Sequence, residues 1–230
     1  MLTNYFKDFL KLFFPKNCEA CGKNLLKSEN ILCSDCLYNM PKTYFHETKD
    51  NPLNRLFYGI TDITYATALF YFRKASIYRA LIHKLKYKGQ KEIGIELGRM
   101  TGQEIKGSFF DETDIIIPVP LHTAKKRMRG YNQSEIIASG ISETLKKPVI
   151  KNVLIRSKYT ETQTKKSLEE RRTNVKSAFK TLKPELISGR HILLVDDVVT
   201  TGSTLIACAD ELLKTKNVKV SISVLGFAVQ

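Results

Sequence analysis

The chain has 230 residues, 43% apolar and 26% charged, which is enough for one full hydrophobic core and a small appendage. It contains no internal repeat, no low-complexity tract and no apolar run of membrane-span length, so membrane insertion is not expected. The formal net charge of +14 is unevenly placed: residues 120–180 hold fifteen basic against five acidic side chains, a net +10. A positive field focused in this way calls for a polyanionic partner, either a diphosphate ligand, a nucleic acid or both; the alternative is a basic surface kept for solubility.

Leu2, Phe6, Phe9, Leu10 and Phe13 recur at helical spacing and predict a short amphipathic helix ended by Pro15. Lys7, Asp8 and Lys11 interrupt it, so it lacks a signal-peptide core, and a cytoplasmic location is expected. Next come Cys18-Glu-Ala-Cys21 and Cys33-Ser-Asp-Cys36, two C-x-x-C pairs eleven residues apart. Each pair presents two thiolates to one tetrahedral ion, and Gly22 gives the first knuckle a permissive backbone. Structural Zn²⁺ on Cys18, Cys21, Cys33 and Cys36 is expected, with an iron–sulfur cluster or a redox dithiol as alternatives. Few basic residues lie between the pairs, which favours a structural staple over a nucleic-acid finger. Cys208 reads as a small core residue.

Residues 41–60, with Pro41, Pro52 and Gly59, read as a connector. The β-branched and aromatic content of Thr61–Phe72 predicts a strand, followed by helices over Ile77–Lys88 and Glu92–Ile105. Asp114–Val119 reads as a second buried strand, Tyr131–Leu145 as a helix and Val149–Arg156 as extended chain. Lys158–Ser167 reads as a mobile loop and Ser167–Asn174 as a charged helical turn. A strand at Ile192, a helix after Gly202 and a strand over Val218–Phe227 complete the chain. This alternation predicts an α/β fold, a mostly parallel sheet flanked by helices, with a small N-terminal zinc ribbon. The expected division is residues 1–50 for the N-terminal helix and ribbon, and 51–230 for the α/β domain.

The most informative stretch is Ile192 to Thr204, I-L-L-V-D-D-V-V-T-T-G-S-T. Four large apolar residues suit a strand buried on both faces, and such a strand should not end in Asp196 and Asp197 unless they meet a ligand. Thr200, Thr201, Gly202, Ser203 and Thr204 have the composition of a phosphate cradle at a helix N-terminus. The acids one turn away then accept hydrogen bonds from ribose hydroxyls and are the candidate catalytic pair. A plain helix cap is the bland alternative, but a cap needs one acid and no glycine–threonine cluster. Pro118-Val119-Pro120-Leu121-His122 follows a buried strand and points Leu121 and His122 at the same edge; His122 reads equally as a structural residue. Lys125, Lys126, Arg127 and Arg129, beside Tyr131, suit either diphosphate binding or a groove that tracks a nucleic-acid backbone, with Lys84, Lys86 and Lys88 in support and Tyr87 and Tyr131 available for stacking.

The thirteen-residue run resembles the phosphoribosyl diphosphate (PRPP) signature of type I phosphoribosyltransferases. P-V-P-L-H at 118, R-G-Y-N-Q at 129, L-K-Y-K-G at 85, the Thr162-Gln163-Thr164 to Phe179 block and the paired cysteines together resemble the ComF family, also called GntX-like or amidophosphoribosyltransferase-like. The resemblance implies a type I phosphoribosyltransferase fold with a zinc finger, PRPP and Mg²⁺ as ligands, and a place in DNA uptake and natural transformation. Single-stranded DNA and other DNA-uptake proteins are then the expected partners. It leaves open whether the PRPP site is catalytic, as in a metabolic enzyme moving ribose 5-phosphate to a nitrogen acceptor, or serves as a sensor.

Overall fold

A computed structural model of the protein describes residues 16–156 and 178–229. The expected N-terminal helix, the loop over 158–167 and the helical turn over 167–174 lie outside these residues. The elements in order are α1 (Ser34–Tyr38), α2 (Pro52–Arg55), β1 (Ala66–Phe72), α3 (Tyr78–Tyr87), α4 (Lys91–Ile105), β2 (Ile115–Pro118), α5 (Thr123–Arg129) and α6 (Gln133–Leu145), followed by β3 (Leu154–Arg156), β4 (Phe179–Thr181), β5 (His191–Val199), α7 (Ser203–Leu213) and β6 (Lys219–Ala228). Four strands form a parallel sheet in the order β1-β6-β5-β2, and β3 pairs with β4 antiparallel. Parallel β1, β2, β5 and β6 must be covered on both faces. Accordingly Ile192 and Leu194 enter the core shared with α7, while Leu193 and Val195 enter the core shared with α3, α4 and α6. Among the described residues no helix is long and apolar enough to cross a membrane.

The register decides where a ligand can sit. Strand β2 ends at Pro118, opposite Val195, whereas β5 continues to Val199. On that side β5 therefore projects past its neighbour, and Asp196 and Asp197 border a crevice beyond the carboxyl end of β2.

Helices α4 and α6 pack with their backbones nearly touching. Gly94, Gly98 and Gly102 line one face of α4, and Gly140 of α6 meets Gly98. A Cβ on Gly98 would lie 2.3 Å from the Ile137 carbonyl oxygen, and one on Gly140 would lie 2.1 Å from that of Ile95.

One expectation needs correction. Residues 41–60 are more than a connector: Phe45, Leu53 and Phe57 are buried in the main core, and Asn51 caps α2 while donating to the Ala66 carbonyl. Their spacing carries no period because the turns are too short to repeat. The basic run after His122 forms the short helix α5, which starts where His122 Nδ1 accepts from the Ala124 amide (3.2 Å) and stops at Gly130 with φ of 79°.

Candidate functional site

Strand β5 carries Asp196 and Asp197 to the sheet edge, and the turn of Thr200 to Gly202 leads into α7. Gly202 is the N-cap of α7 with φ of 72°, a left-handed conformation that other side chains reach only with strain. No side chain caps the helix, so its first amides face the cradle. Asp196, Val198 to Thr204 and Leu205 line a cavity of about 60 Å³, in which Thr201 Oγ1 and Ser203 Oγ lie 3.0 Å apart. Phe57, from the segment read as a connector, packs beneath: a Cβ at Gly202 would meet its ring at 3.5 Å. Open amides and hydroxyls at a helix N-terminus are the chemistry that suits an anion.

The two acids have different environments. Asp197 is 8% exposed and pairs with Lys86 Nζ at 2.9 Å. Asp196 accepts from Ser134 Oγ at 2.9 Å and from the Asp197 amide at 2.9 Å. Burial, and then the neighbouring Asp197 charge, raise the Asp196 pKa to about 7 despite those donors and Lys86. A carboxyl held against its own charge beside an anion cradle is the electrostatic pattern of a ligand site.

Sequence reading gave no role to Ser134 or Asn132. Asn132 caps α6 by accepting from the Ser134 amide, and its side-chain amide donates to the Val119 carbonyl at 2.9 Å. It thereby pins the Pro118–Pro120 turn to α6 and sets Ser134 against Asp196. The Asn132-Gln-Ser-Glu135 spacing, an N-cap with an acid three residues on, is the signal that marks it.

The basic residues separate into several roles. Lys125 is pushed below the usual ammonium range by burial and then by the charges of Arg156, Arg129 and Lys86, the last of which also pairs with Asp197. Lys126 pairs with Glu135 at 3.1 Å, while Arg127 and Lys88 are exposed. Arg129 lies over the Tyr87 ring, 5.0 Å from its centroid, and Nη2 donates to the Tyr87 hydroxyl at 3.3 Å. Tyr87 is 57% exposed. Tyr131 is different from the stacking residue expected: it is buried, and its hydroxyl donates to the Leu85 carbonyl. Lys84 turns away from the acid pair, donating to the Glu19 carbonyl at 2.8 Å and its carboxylate at 2.7 Å.

Cys18, Cys21, Cys33 and Cys36 converge with all sulfurs within 4.8 Å of one another. A tetrahedral ion with metal–sulfur bonds of about 2.3 Å sets its sulfurs roughly 3.8 Å apart; Cys21 and Cys33 Sγ are 3.7 Å apart. Gly22 adopts φ of 79° at the first knuckle, and the Cys33 amide points at Cys18 Sγ (3.4 Å). Burial opposes the Cys18 thiolate, but the backbone donors at Cys21, Cys33 and Ala20 outweigh it and lower the pKa to about 6. The four residues fit a metal such as zinc. Cys208 is buried on α7, in the core.

Residues 86–229 match the phosphoribosyl transferase domain family. The chain is 32% identical over 215 residues to the DNA utilization protein YhgH of Escherichia coli O157:H7, covering 89% of this chain and 87% of that one. It is 29% identical over 209 residues to competence protein F of Haemophilus influenzae, covering 84% and 89%. With competence protein ComFC of Bacillus subtilis it shares 26% over 188 residues, covering 82% and 68%. Among solved structures, the glutamine PRPP amidotransferase of B. subtilis complexed with ADP and GMP aligns with a TM-score of 0.42 at 19% identity, over 61% of this chain and 30% of that one. The parallel sheet flanked by helices is the type I phosphoribosyltransferase fold, preceded here by a four-cysteine unit. With the domain matched over well over half its length, and relatives of one kind matched across most of both chains, this chain belongs to the ComF family of phosphoribosyltransferase-fold proteins.

Proposed function

We propose that the protein binds PRPP at the β5–α7 edge, handles single-stranded DNA on the adjoining basic wall, and acts in bacterial DNA uptake. The observation that carries this reading is the acid pair on β5 opening into an uncapped, hydroxyl-rich helix N-terminus. The 5-phosphate sits on the amides of Thr201 to Thr204, with Thr200 at the entrance, and the ribose hydroxyls donate to Asp196 and Asp197. Leu121 and His122 border the diphosphate, whose charge Lys86, Lys125 and Arg129 meet. Mg²⁺ accompanies PRPP and neutralises the leaving diphosphate. Zn²⁺ on the four cysteines is a structural staple, and the protein works in the cytoplasm with other DNA-uptake proteins. The division at residue 50 is then one of role, because Phe45 of the first segment lies in the core of the second.

Anaerobically purified protein is expected to contain about one zinc per chain by elemental analysis, as a four-thiolate site requires. Iron, or reduced thiols without metal, would contradict the assignment.

Calorimetry of PRPP and of single-stranded DNA, separately and together, tests the main reading. Contacts to phosphates are largely sequence-independent, so DNA affinity should fall steeply with salt. With Arg129 serving DNA as well as the diphosphate, replacing Arg127 and Arg129 by alanine is expected to flatten that slope by about 1.4, roughly 0.7 per lost phosphate contact. Loss of PRPP affinity with the DNA slope unchanged would assign both arginines to diphosphate alone. The acid pair also suits transfer of ribose 5-phosphate to a nitrogen acceptor, and acceptor-dependent release of diphosphate distinguishes that second reading.

A further inference from the structure

The last turn of α3 touches the cysteine unit and the candidate ligand site within four consecutive residues. Lys84 holds Glu19, the residue directly after Cys18, through both its carbonyl and its carboxylate. The Leu85 carbonyl accepts from Tyr131, at the root of the Asn132 cap. Lys86 pairs with Asp197, and Tyr87 carries Arg129. At its other end α3 is tied to the second cysteine pair: the buried Tyr78 hydroxyl donates to the Cys36 carbonyl at 2.8 Å. Gln90, just beyond the helix, donates to the Glu19 carboxylate at 3.3 Å. Cys18, Cys33 and Cys36 share one buried cluster with Tyr78, Leu81, Ile82 and Leu85.

We propose that α3 couples the cysteine unit energetically to the PRPP site, with Lys84 as a positioning residue that sets Lys86 against Asp197. The proposal rests on the zinc and PRPP readings above. The physical reason is that a helix is stiff along its axis, so anchoring its last turn at Lys84 fixes the ammonium two residues on. A wandering Lys86 would leave Asp197 buried and unpaired, which disfavours the arrangement that takes the ribose. The Lys84–Glu19 pair is three-quarters to two-thirds covered and makes two hydrogen bonds from one ammonium, so it holds better than a surface ion pair. Coupling between two binding equilibria is reciprocal: whatever the metal-loaded cysteine unit adds to PRPP affinity, PRPP adds to metal affinity.

The test uses the zinc-loaded full chain, with zinc affinity read by equilibrium competition against a chromophoric chelator, with and without saturating PRPP and Mg²⁺. PRPP is expected to tighten zinc binding by about tenfold, within the usual span of such couplings. In Lys84→Met, which keeps the aliphatic stem, PRPP is expected to bind about tenfold more weakly and to leave zinc affinity unmoved. Glu19→Gln provides a second, milder variant, and the double variant should be no worse than Lys84→Met alone if the two residues act as one unit. A wild-type protein that binds PRPP while its zinc affinity stays the same overturns the coupling and spares the site. A wild-type protein that takes up no PRPP overturns the site reading, and this proposal with it.

Discussion

Asp196→Asn is expected to abolish most PRPP binding and at the same time make the protein more stable at pH 8. The Asp196 pKa is raised from 3.8 to about 7, first by burial and then by the charge on Asp197. The folded protein therefore holds a proton that the unfolded chain releases between those values, and the ionised carboxylate opposes folding above pH 7. That opposition fades as pH falls from 7 toward 4, where both states are protonated. An asparagine carries no charge to bury and can still accept from Ser134. The expected gain at pH 8 is on the order of 1–3 kcal/mol, discounted from the full shift because Asp196 is partly exposed and coupled to Asp197 and Lys86. For a chain of this size that corresponds to a rise of about 5 °C in Tm, shrinking as pH falls and vanishing below about pH 4. PRPP affinity is expected to fall between roughly ten- and a hundredfold, since a charged acceptor for ribose hydroxyls is lost. Asp196→Asn with Asp197→Asn should leave no measurable binding. Thermal melts across pH together with calorimetry check both arms. Equal Tm shifts at pH 5 and pH 8 would show that Asp196 is not held against its charge, and undiminished PRPP affinity would remove the acids from the site.

Gly98→Ala is the second change with a large expected effect, and its sign runs against helix propensity. In an exposed helix the substitution would stabilise by roughly 1 kcal/mol. Here the new methyl meets the Ile137 carbonyl oxygen at 2.3 Å and the Gly140 Cα at 3.0 Å, backbone atoms that cannot rotate away. Helices α4 and α6 must separate, at an expected net loss of about 2–3 kcal/mol and a fall of about 5–10 °C in Tm. Gly94→Ala is the control, because its neighbours at 2.9 Å are side-chain atoms, the Leu85 Cδ1 end and the Ile136 Cγ2 methyl, with no backbone atom among them, and it should cost less. Combining Gly98→Ala with Gly140→Ala should cost less than the sum, since one separation accommodates both methyls. Urea melts of the four variants measure this, and equal losses for Gly94→Ala and Gly98→Ala would refute the backbone-contact account. Helix α6 also carries Ser134 to Asp196, and its cap Asn132 holds the Val119 carbonyl, so PRPP affinity should weaken along with stability.

The parallel α/β fold, both C-x-x-C knuckles and the acid-acid-hydroxyl-glycine order of the cradle are legible in the linear chain. These are local: a buried strand, a knuckle and a helix N-terminus each draw their residues from fewer than fifteen consecutive positions, so their chemistry shows in the spacing. Which charges are occupied depends instead on how the elements pack. Lys84 and Lys86 look alike in sequence, two residues apart in one basic helix, yet one holds Glu19 and the other Asp197. Tyr87 and Tyr131 look alike beside their basic runs, yet the first is exposed and the second donates into the core. Phe57 lies 145 residues before Gly202, Ser134 lies 62 before Asp196, and Gly98 meets Gly140 across 42 residues through a helix pair. Such contacts are fixed by how helices pack on a sheet, and a linear pattern carries no record of which side chain is left facing solvent once they do.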